Sequence, residues 1–512
     1  MKNSSFIMTN QPTIQRSQLH SESATLTFLV SSQYWKLFNR RLKVEHSLND
    51  GLYCTDFERK EITTDMCDKL TEAVKEILSN DKPIELLTIN HSDLCKYFAE
   101  NGQYDKVSVL KTWQEQEISC IKYDDFIDYC IEPSSNDKER LKIFEIRPYD
   151  DGFILRYPTF MNPNGIGEFT DPQVLHEMFK EYAEWAKLLN CEYASKLNEY
   201  IYSKKVDELK WVAEGLHEQK FAHIADYLVA NHDKKKIITI AGPSSSNKTT
   251  FAKRLAIALR VVGYQSIVIE MDDYFKDNSE IPFGKDGLQD FEHVTTLNIK
   301  LLSERVNQLL EGKTIPRRRF VFKTGCGEDS TTEFLTLPKN GFLILEGIHG
   351  LNPLLLNAFG ADRVCPIYVS ALTPINIDST HRFPTAALRL IRRMVRDFKF
   401  RGHSPRKTLQ RWVSVRKGEE NNIFPYQSNA ELFFNSALVY ELPVLSIFAR
   451  GLLAEASIPG PDEDPYSPQT QEVTKEALRL QGLLSFFYPL STEIVPHISC
   501  IREFIGGSDL KY

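Results

Sequence analysis

A run of small and hydroxyl-bearing residues that ends in a lysine is the feature of this sequence with the clearest chemical meaning. The apolar stretch IITIA (237–241) leads into GPSSSNKTT and then into a helical pattern. A strand, a tight turn and a helix N-terminus in this order form a cradle of backbone N–H groups that binds phosphate. We expect Lys248 to reach the terminal phosphates and Thr249 to ligate Mg²⁺. The residues predicted to bind the nucleotide here are Gly242, Ser244, Ser245, Ser246, Asn247, Lys248, Thr249 and Thr250.

Two acidic residues close apolar strand patterns further along the chain. Asp272 follows SIVIEM, and Glu346 ends GFLILE. Carboxylates at the C-terminal ends of parallel strands meet in the ligand crevice of an open α/β sheet. We therefore predict that Asp272 accepts the proton of a substrate hydroxyl and contacts the water shell of the metal. Glu346 is predicted to orient Mg²⁺, as phosphoryl transfer requires.

A strongly basic segment follows, with eleven lysines and arginines and one acid, Asp397, between positions 389 and 417. On a helix, spacings of three and four residues bring a group of arginines to one face. Guanidinium groups arranged in this way suit the spread charge of a transferring phosphoryl group, and the helix could belong to a lid. A solvated basic face or an RNA-contacting patch is the alternative. The arginines are Arg389, Arg392, Arg393 and Arg396.

The elements that must position these residues form an α/β domain. Continuous apolar, β-branched runs alternate with helical patterns, which predicts a parallel sheet with helices on both faces. The runs lie at 237–242, 266–270, 341–347 and 365–371. Before them the pattern is α+β, with a helix over 64–79 and strands over 118–122, 141–146 and 152–156. The predicted divisions are a flexible N-terminus (1–21), an α+β domain (22–160), a helical connector (161–234), the α/β domain (235–455) and a C-terminal helix and tail (456–512).

Composition narrows the classes of protein that remain. The 512 residues are 42% hydrophobic and 26% charged, which excludes a largely disordered or low-complexity chain. A net charge of −7 argues against a general nucleic-acid coat, and no run approaches the roughly 20 apolar residues of a membrane span. Nine cysteines without a C-x-x-C pair suggest neither a disulfide framework nor a zinc ribbon. We expect a cytoplasmic protein.

The order of motifs from 235 to 455 resembles the uridine kinase and phosphoribulokinase family. These motifs are AGPSSSNKTT, MDDYF, DFEH, FVFKTG, LILEGIHGLNP and RLIRRMVRDFKFRG. The resemblance implies that ATP and Mg²⁺ are the cofactors, that Asp272 and Lys248 are catalytic, and that Asp272, Thr249 and Glu346 serve the metal. It implies that Arg392 and Arg396 contact the nucleotide. It places the substrate beside Glu292, which would hold ribose hydroxyls, and beside His293, Phe320, Phe322, Arg389 and Arg393.

The N-terminal region resembles a different family. EHSLNDGLYCTDF (45–57) and ISCIKYDDFIDYCIEP (118–133) look like the second additional domain of threonyl-tRNA synthetases. That family uses a pair of histidines, a later cysteine and a later histidine. Here Cys130 is present, Ser134 stands at the last position, and residues 23–27 contain no histidine. The resemblance therefore implies a non-catalytic domain. A synthetase-like domain joined to a kinase-like one is similar to a long subgroup of uridine-kinase-like proteins, as is REFIGGS at 502–508.

The leading hypothesis is an ATP-dependent kinase that phosphorylates a small-molecule hydroxyl, most simply the 5′-OH of a nucleoside such as uridine or cytidine. Asn247 motivates a second hypothesis, because glycine is usual at its position. Asparagine tolerates positive φ, yet its side chain could crowd a phosphate oxygen. The protein would then be a nucleotide-binding regulator or a decayed kinase. RNA binding through the N-terminal domain is a third. The sequence leaves GTP as donor and a homo-oligomer open.

Overall fold

A computed structural model of the protein describes residues 15–48, 51–113, 115–171, 173–281, 292–321 and 323–511. Its contacts divide the chain into two compact units, and each unit draws on separated stretches of sequence. The first unit consists of residues 1–171, 379–381 and 459–479. The second consists of residues 172–378, 382–458 and 480–512. The described part of the chain has no helix that is both long enough and apolar enough to cross a membrane.

The first unit is α+β, as the sequence predicts. In its described residues, one antiparallel sheet has the strand order β1-β2-β7-β6 and another has the order β3-β4-β5. Leu70 and Val74 of α2 pack into a core with Leu29 of α1 and Phe153 of β7. The elements are α1 Arg16–Phe38, β1 Leu42–Leu48, β2 Gly51–Asp56, α2 Thr64–Ser79, β3 Glu85–Asn90, α3 His91–Glu100, α4 Tyr104–Thr112, β4 Glu117–Tyr123, β5 Phe126–Tyr129, α5 Lys138–Leu141, β6 Glu145–Tyr149 and β7 Gly152–Arg156.

Two local predictions for this unit were wrong. The strand predicted over 141–146 begins only at Glu145, because the four residues up to Leu141 form a helical turn capped by Asp137. Residues 16–21, predicted to be flexible, form the start of α1, while residues 1–14 lie outside the described part of the chain. Ser17 is tied to Glu472 by its backbone N–H and its hydroxyl, at 2.7 and 2.8 Å. Because Glu472 lies 455 residues away, no local sequence pattern could predict that this end of the helix is ordered.

The second unit has the predicted α/β fold and also contains the helices predicted as a connector and part of the C-terminal tail. Five parallel strands form a sheet in the order β14-β13-β8-β12-β9, and helices flank it. The first helices are α6 Gln173–Leu188, α7 Ala194–Tyr202 and α8 Val206–Ala230. The rest are β8 Ile237–Ala241, α9 Lys248–Val261, β9 Gln265–Glu270, α10 Ile299–Leu310, the hairpin β10 Thr314–Val321 and β11 Cys326–Thr336, β12 Gly341–Glu346, α11 Pro353–Phe359, β13 Val364–Ser370, α12 Thr385–Arg401, α13 Pro405–Asn422, β14 Leu432–Asn435, α14 Glu441–Ala456 and α16 Arg502–Ile505. The helix α15 Pro468–Ser485 belongs to the first unit up to Arg479 and to the second unit from Leu480.

The sheet brings the predicted site residues to one edge. Every residue of β8, β12 and β13 is buried, as expected for parallel strands covered on both faces. In the register of the sheet, Glu346 at the end of β12 lies opposite Ile240 of β8 on one side and Glu270 of β9 on the other. The loops that follow these three strands therefore converge.

Candidate active site

The segment between β8 and α9, which we call the phosphate loop (residues 242–249), has the backbone of an anion cradle. An added Cβ at Gly242 would lie 2.0 Å from the carbonyl oxygen of Val369, so only glycine fits there. Ser245 and Asn247 have φ of 61° and 70°, and α9 begins at Lys248. This alternation turns successive backbone N–H groups toward one point.

Two hydroxyls of the loop fit a phosphate ligand. Ser245 and Ser246 are 5% and 1% exposed, and their Oγ atoms have no hydrogen-bond partner among the described residues. Buried hydroxyls without partners are rare because leaving them unpaired costs free energy. A bound phosphate would supply the missing acceptors.

Asn247 adopts the left-handed conformation that a glycine would supply, and its side chain is fully engaged. The amide nitrogen donates to the Cys500 carbonyl at 2.9 Å and to Glu503 at 2.8 Å, while the amide oxygen accepts from Arg392 at 2.8 Å. The hypothesis of a decayed kinase assumed that the Asn247 side chain could crowd a phosphate oxygen. In the structure these hydrogen bonds direct the amide toward Arg392 and the C-terminal residues instead.

Lys248, Thr249, Asp272 and Glu346 come together at the sheet edge. The Thr249 hydroxyl donates to Glu346 at 3.2 Å. Burial raises the pKa of Glu346 to about 7, and the positive charge of Lys248 opposes that rise. Asp272 lies in the 3₁₀ turn after β9; its surroundings restrict hydration and raise its pKa to about 6, again against Lys248. The Thr249 hydroxyl and the carboxylates of Asp272 and Glu346 together provide oxygen ligands of the kind that Mg²⁺ prefers.

The four arginines of α12 do not form one exposed row, because two of them are buried. Arg389 and Arg392 are buried, and each forms an ion pair with a glutamate from another helix, Arg389 with Glu419 at 2.5 Å and Arg392 with Glu441. Both also donate to loop carbonyls, those of Ser244 and Ser245, at 3.1 Å. Their buried guanidinium groups hold the backbone of the phosphate loop in place. The expectation that Arg389 contacts the substrate and Arg392 the nucleotide does not match this geometry.

The other two arginines lie nearer to solvent. Arg393 donates to the Ser244 hydroxyl at 2.6 Å and lies 3.4 Å from Asp397. Arg396 pairs with the same aspartate at 3.0 Å. Arg393 is therefore the member of the group that reaches the loop from the open side.

Among the predicted substrate residues, Glu292 interacts electrostatically with charged residues of α12 and α13. Burial raises its pKa to about 7, the charge of Glu419 adds to this, and Arg393 opposes it. Its side chain packs against Gly418 of α13, where an added Cβ would lie 2.9 Å from the Glu292 Cγ. His293 is exposed instead, and its ring caps the following 3₁₀ turn through Thr295.

The Phe320 ring is a core residue rather than an open stacking surface. It is 7% exposed and packs against Phe275 with ring centroids 5.6 Å apart, while its backbone N–H donates to Asp273 at 3.1 Å. Phe322 lies outside the described residues. Sequence reasoning missed the role of three glutamates that hold the loop: no local motif marks Glu419 or Glu441, and the motif REFIGGS contains Glu503 without showing what its carboxylate contacts.

In the first unit, Cys130 lies 3.5 Å from Ser134 between Sγ and Oγ, and the Thr25 hydroxyl accepts from the Ser135 backbone N–H at 2.8 Å. The residues matched to the synthetase site thus do lie together. The similarity of this unit to a synthetase domain stays a prediction.

Known proteins match the second unit. Residues 237–442 match the model of the Phosphoribulokinase / Uridine kinase family. A uridine kinase of Bacillus pumilus is 29% identical over 182 residues, which are 36% of this chain and 77% of that kinase. A uridine kinase of Bacillus cereus is 30% identical over 183 residues, which are 36% of this chain and 76% of that kinase. The structure of D-glycerate 3-kinase from Cryptococcus neoformans is 13% identical, with a TM-score of 0.22, and aligns over 52% of this chain and 87% of its own.

Proposed function

Because the chain belongs to the phosphoribulokinase / uridine kinase family, we propose that it transfers the γ-phosphoryl group of ATP to a hydroxyl of a small molecule. The observation that carries the proposal is the convergence of Lys248, Asp272 and Glu346 at the mouth of a phosphate loop whose buried serine hydroxyls lack partners.

Each residue has a role that its position supports. Lys248 and the loop N–H groups hold the β- and γ-phosphates. Thr249 and Glu346 would hold Mg²⁺, which screens the phosphate charge. Asp272 takes the proton of the acceptor hydroxyl as the new O–P bond forms, and the bond to the bridging oxygen breaks with its electron pair leaving on ADP. Arg393, beside Ser244, stabilises negative charge on the transferred group.

We propose a nucleoside as the acceptor, with its 5′-OH as the reacting group and uridine and cytidine as the first candidates. The support is the similarity to uridine kinases and the position of Glu292, whose carboxyl lies within the electrostatic reach of Asp272 and Lys248 and could accept hydrogen bonds from ribose hydroxyls. We place the activity in the cytoplasm, since all nine cysteines are free thiols.

For the first unit, we propose that residues 22–160 form a non-catalytic domain similar to the second additional domain of threonyl-tRNA synthetases. Only Cys130 of the expected ligands is present, and it faces a serine. One soft ligand does not hold zinc.

The test is ATP consumption by the full chain with Mg²⁺ across a panel of nucleosides, pentose phosphates and pantothenate. We expect one strong nucleoside acceptor. In Asp272→Asn, kcat should fall by about 10²- to 10⁴-fold while Mg-ATP binds with near-normal affinity, since only the base is lost. Near-normal turnover by this variant would contradict the assignment of the base. Mg-ATP binding without turnover on any acceptor would support a regulator instead.

A further inference from the structure

The C-terminal residues 499–507, which we call the tail segment, contact the chain on both sides of Lys248 and Thr249: the phosphate loop before this pair and the first turn of α9 after it. Before this pair, the Asn247 amide donates to the Cys500 carbonyl and to Glu503 at 2.9 and 2.8 Å. After it, the Thr250 hydroxyl donates to the same Glu503 oxygen. A single carboxylate thus connects the residues that flank the proposed phosphate and metal ligands.

The orientation of the Asn247 amide is unambiguous. Arg392 can only donate, and both the Cys500 carbonyl and the Glu503 carboxylate can only accept. The amide oxygen must therefore face Arg392, at 2.8 Å, and the amide nitrogen must face the tail segment. Asn247 is 1% exposed, so water does not compete for these bonds.

The tail segment is itself firmly attached to the second unit. The Lys399 ammonium donates to the Ile505 carbonyl at 2.6 Å, and the Arg392 guanidinium lies 4.9 Å from the centre of the Phe504 ring. Phe504 and Ile501 are completely buried. The carboxylate of Glu503 is therefore presented by a fixed backbone, as a positioning group must be.

We propose that Glu503 is a positioning residue of the nucleotide site, and that the tail segment holds the Asn247 side chain out of the phosphate cradle so that a loop without its usual glycine binds nucleotide. This inference rests on the proposed function, because the site that it serves is the ATP site. A loop with glycine at 247 would have no side chain to hold and would be less dependent on Glu503.

The test is a double-mutant cycle of Glu503→Ala and Asn247→Gly in the full chain, read by Mg-ATP affinity in calorimetry. In the natural background we expect Glu503→Ala, which removes the carboxylate that accepts from both Asn247 and Thr250, to weaken binding about tenfold. In the Asn247→Gly background the same change should cost about twofold or less. Glu503→Gln keeps the shape and one acceptor, and it should recover most of the affinity. Thermal unfolding of each variant establishes that it is folded.

Equal losses in the two backgrounds would overturn the proposal, because Glu503 would then act without Asn247. A natural chain that binds no Mg-ATP would overturn the proposed function, and amide exchange then decides the inference separately. Faster exchange over residues 244–250 in Glu503→Ala, but not in the double variant relative to Asn247→Gly, supports the coupling. Unchanged exchange in Glu503→Ala contradicts it.

Discussion

At the scale of single residues, Lys248 is the positive charge that the carboxyl groups of the site share. It opposes the rise in pKa that loss of hydration imposes on the exposed Asp272, the half-buried Glu292 and the buried Glu346. Several carboxyls that depend on one cation titrate as a group, so loss of a proton from one makes ionisation of the next harder. The pH response of the site therefore follows from the charges around it rather than from ordinary carboxyl chemistry.

We expect kcat/KM to rise as the pH increases through about 6 and to level off above about 7. Asp272 must be ionised to accept a proton; its side chain is exposed at the crevice, and partial desolvation by the surrounding protein raises its pKa to about 6. Below that value most molecules carry a protonated Asp272 and are inactive, and kcat/KM reports this titration in the free enzyme. The measurement is kcat/KM from pH 5 to 9 at saturating Mg²⁺. A profile that is flat between pH 5 and 8 would contradict the role of Asp272.

The free energy of unfolding should also respond to pH through Glu346. Its pKa of about 7 in the folded protein lies above its ordinary value, so the folded state binds the proton more tightly. The associated stability is present at about pH 4 and is lost as the pH rises through about 7. Without nucleotide, Glu346→Gln should therefore raise the free energy of unfolding by about 3 kcal/mol at pH 8 and by less than about 1 kcal/mol at pH 5.

Denaturant unfolding at the two pH values measures this effect, and Glu208→Gln is the control for loss of one carboxylate. Glu208 is exposed in the first turn of α8 and does not contribute to the pKa of Glu346. Mg-ATP should stabilise the control and the natural chain, but not Glu346→Gln. If Glu346→Gln raised the free energy of unfolding equally at both pH values, the effect would come from packing rather than from ionisation of Glu346.

At the scale of elements, α12, α13 and α14 are joined beneath the phosphate loop by buried ion pairs. Arg389 of α12 pairs with Glu419 of α13, and Arg392 pairs with Glu441 of α14. The Glu419 carboxylate also accepts from the Ser244 backbone N–H at 2.9 Å. These three helices thus support the phosphate loop. Within α12, Arg389 and Arg392 hold the loop, whereas Arg393 lies nearer to solvent and contacts the Ser244 hydroxyl.

Neighbouring arginines of α12 should therefore give different phenotypes. Arg392→Met leaves Glu441 buried without its partner and removes a donor from Asn247, which should destabilise the fold by about 3–5 kcal/mol. Arg393→Met removes the contact with the Ser244 hydroxyl and should lower kcat by more than tenfold with a much smaller loss of stability. Arg411→Met on exposed α13 surface is the control for charge. Equal losses of stability in both variants would contradict the division.

Local sequence predicts these elements far better than it predicts their partners. The strands of the sheet were foreseeable because burial on both faces demands unbroken apolar runs, and β8 and β12 end within a residue of the prediction. The role of Arg392 was not, because a helical spacing places four arginines on one side without showing that Glu441, 49 residues later, neutralises one of them. The role of Asn247 could not be predicted either, because its hydrogen-bond partners Cys500 and Glu503 lie more than 250 residues later in the sequence.

At the scale of the whole molecule, the chain returns to its first unit long after leaving it. Residues 459–479 belong to that unit although the α/β domain intervenes. Arg479 lies between Glu132 and Glu476, at 2.8 Å from each. Burial would raise the pKa of Glu476, but the guanidinium of Arg479 lowers it to about 2. The linear boundaries read from sequence miss this return, since a boundary prediction assigns each stretch to its neighbours in the chain.

Arg479→Met should accordingly destabilise the first unit, by about 3–5 kcal/mol, because it leaves Glu132 and Glu476 as uncompensated buried carboxyls. The readout is amide exchange in peptides covering 16–38 and 117–129, which should become faster. Lys475→Met lies on the same helix at an exposed position and should leave exchange unchanged. If Arg479→Met also leaves exchange unchanged, the returning segment does not hold the first unit together. If exchange rises throughout those peptides, a segment more than 300 residues away in sequence is part of that unit's fold.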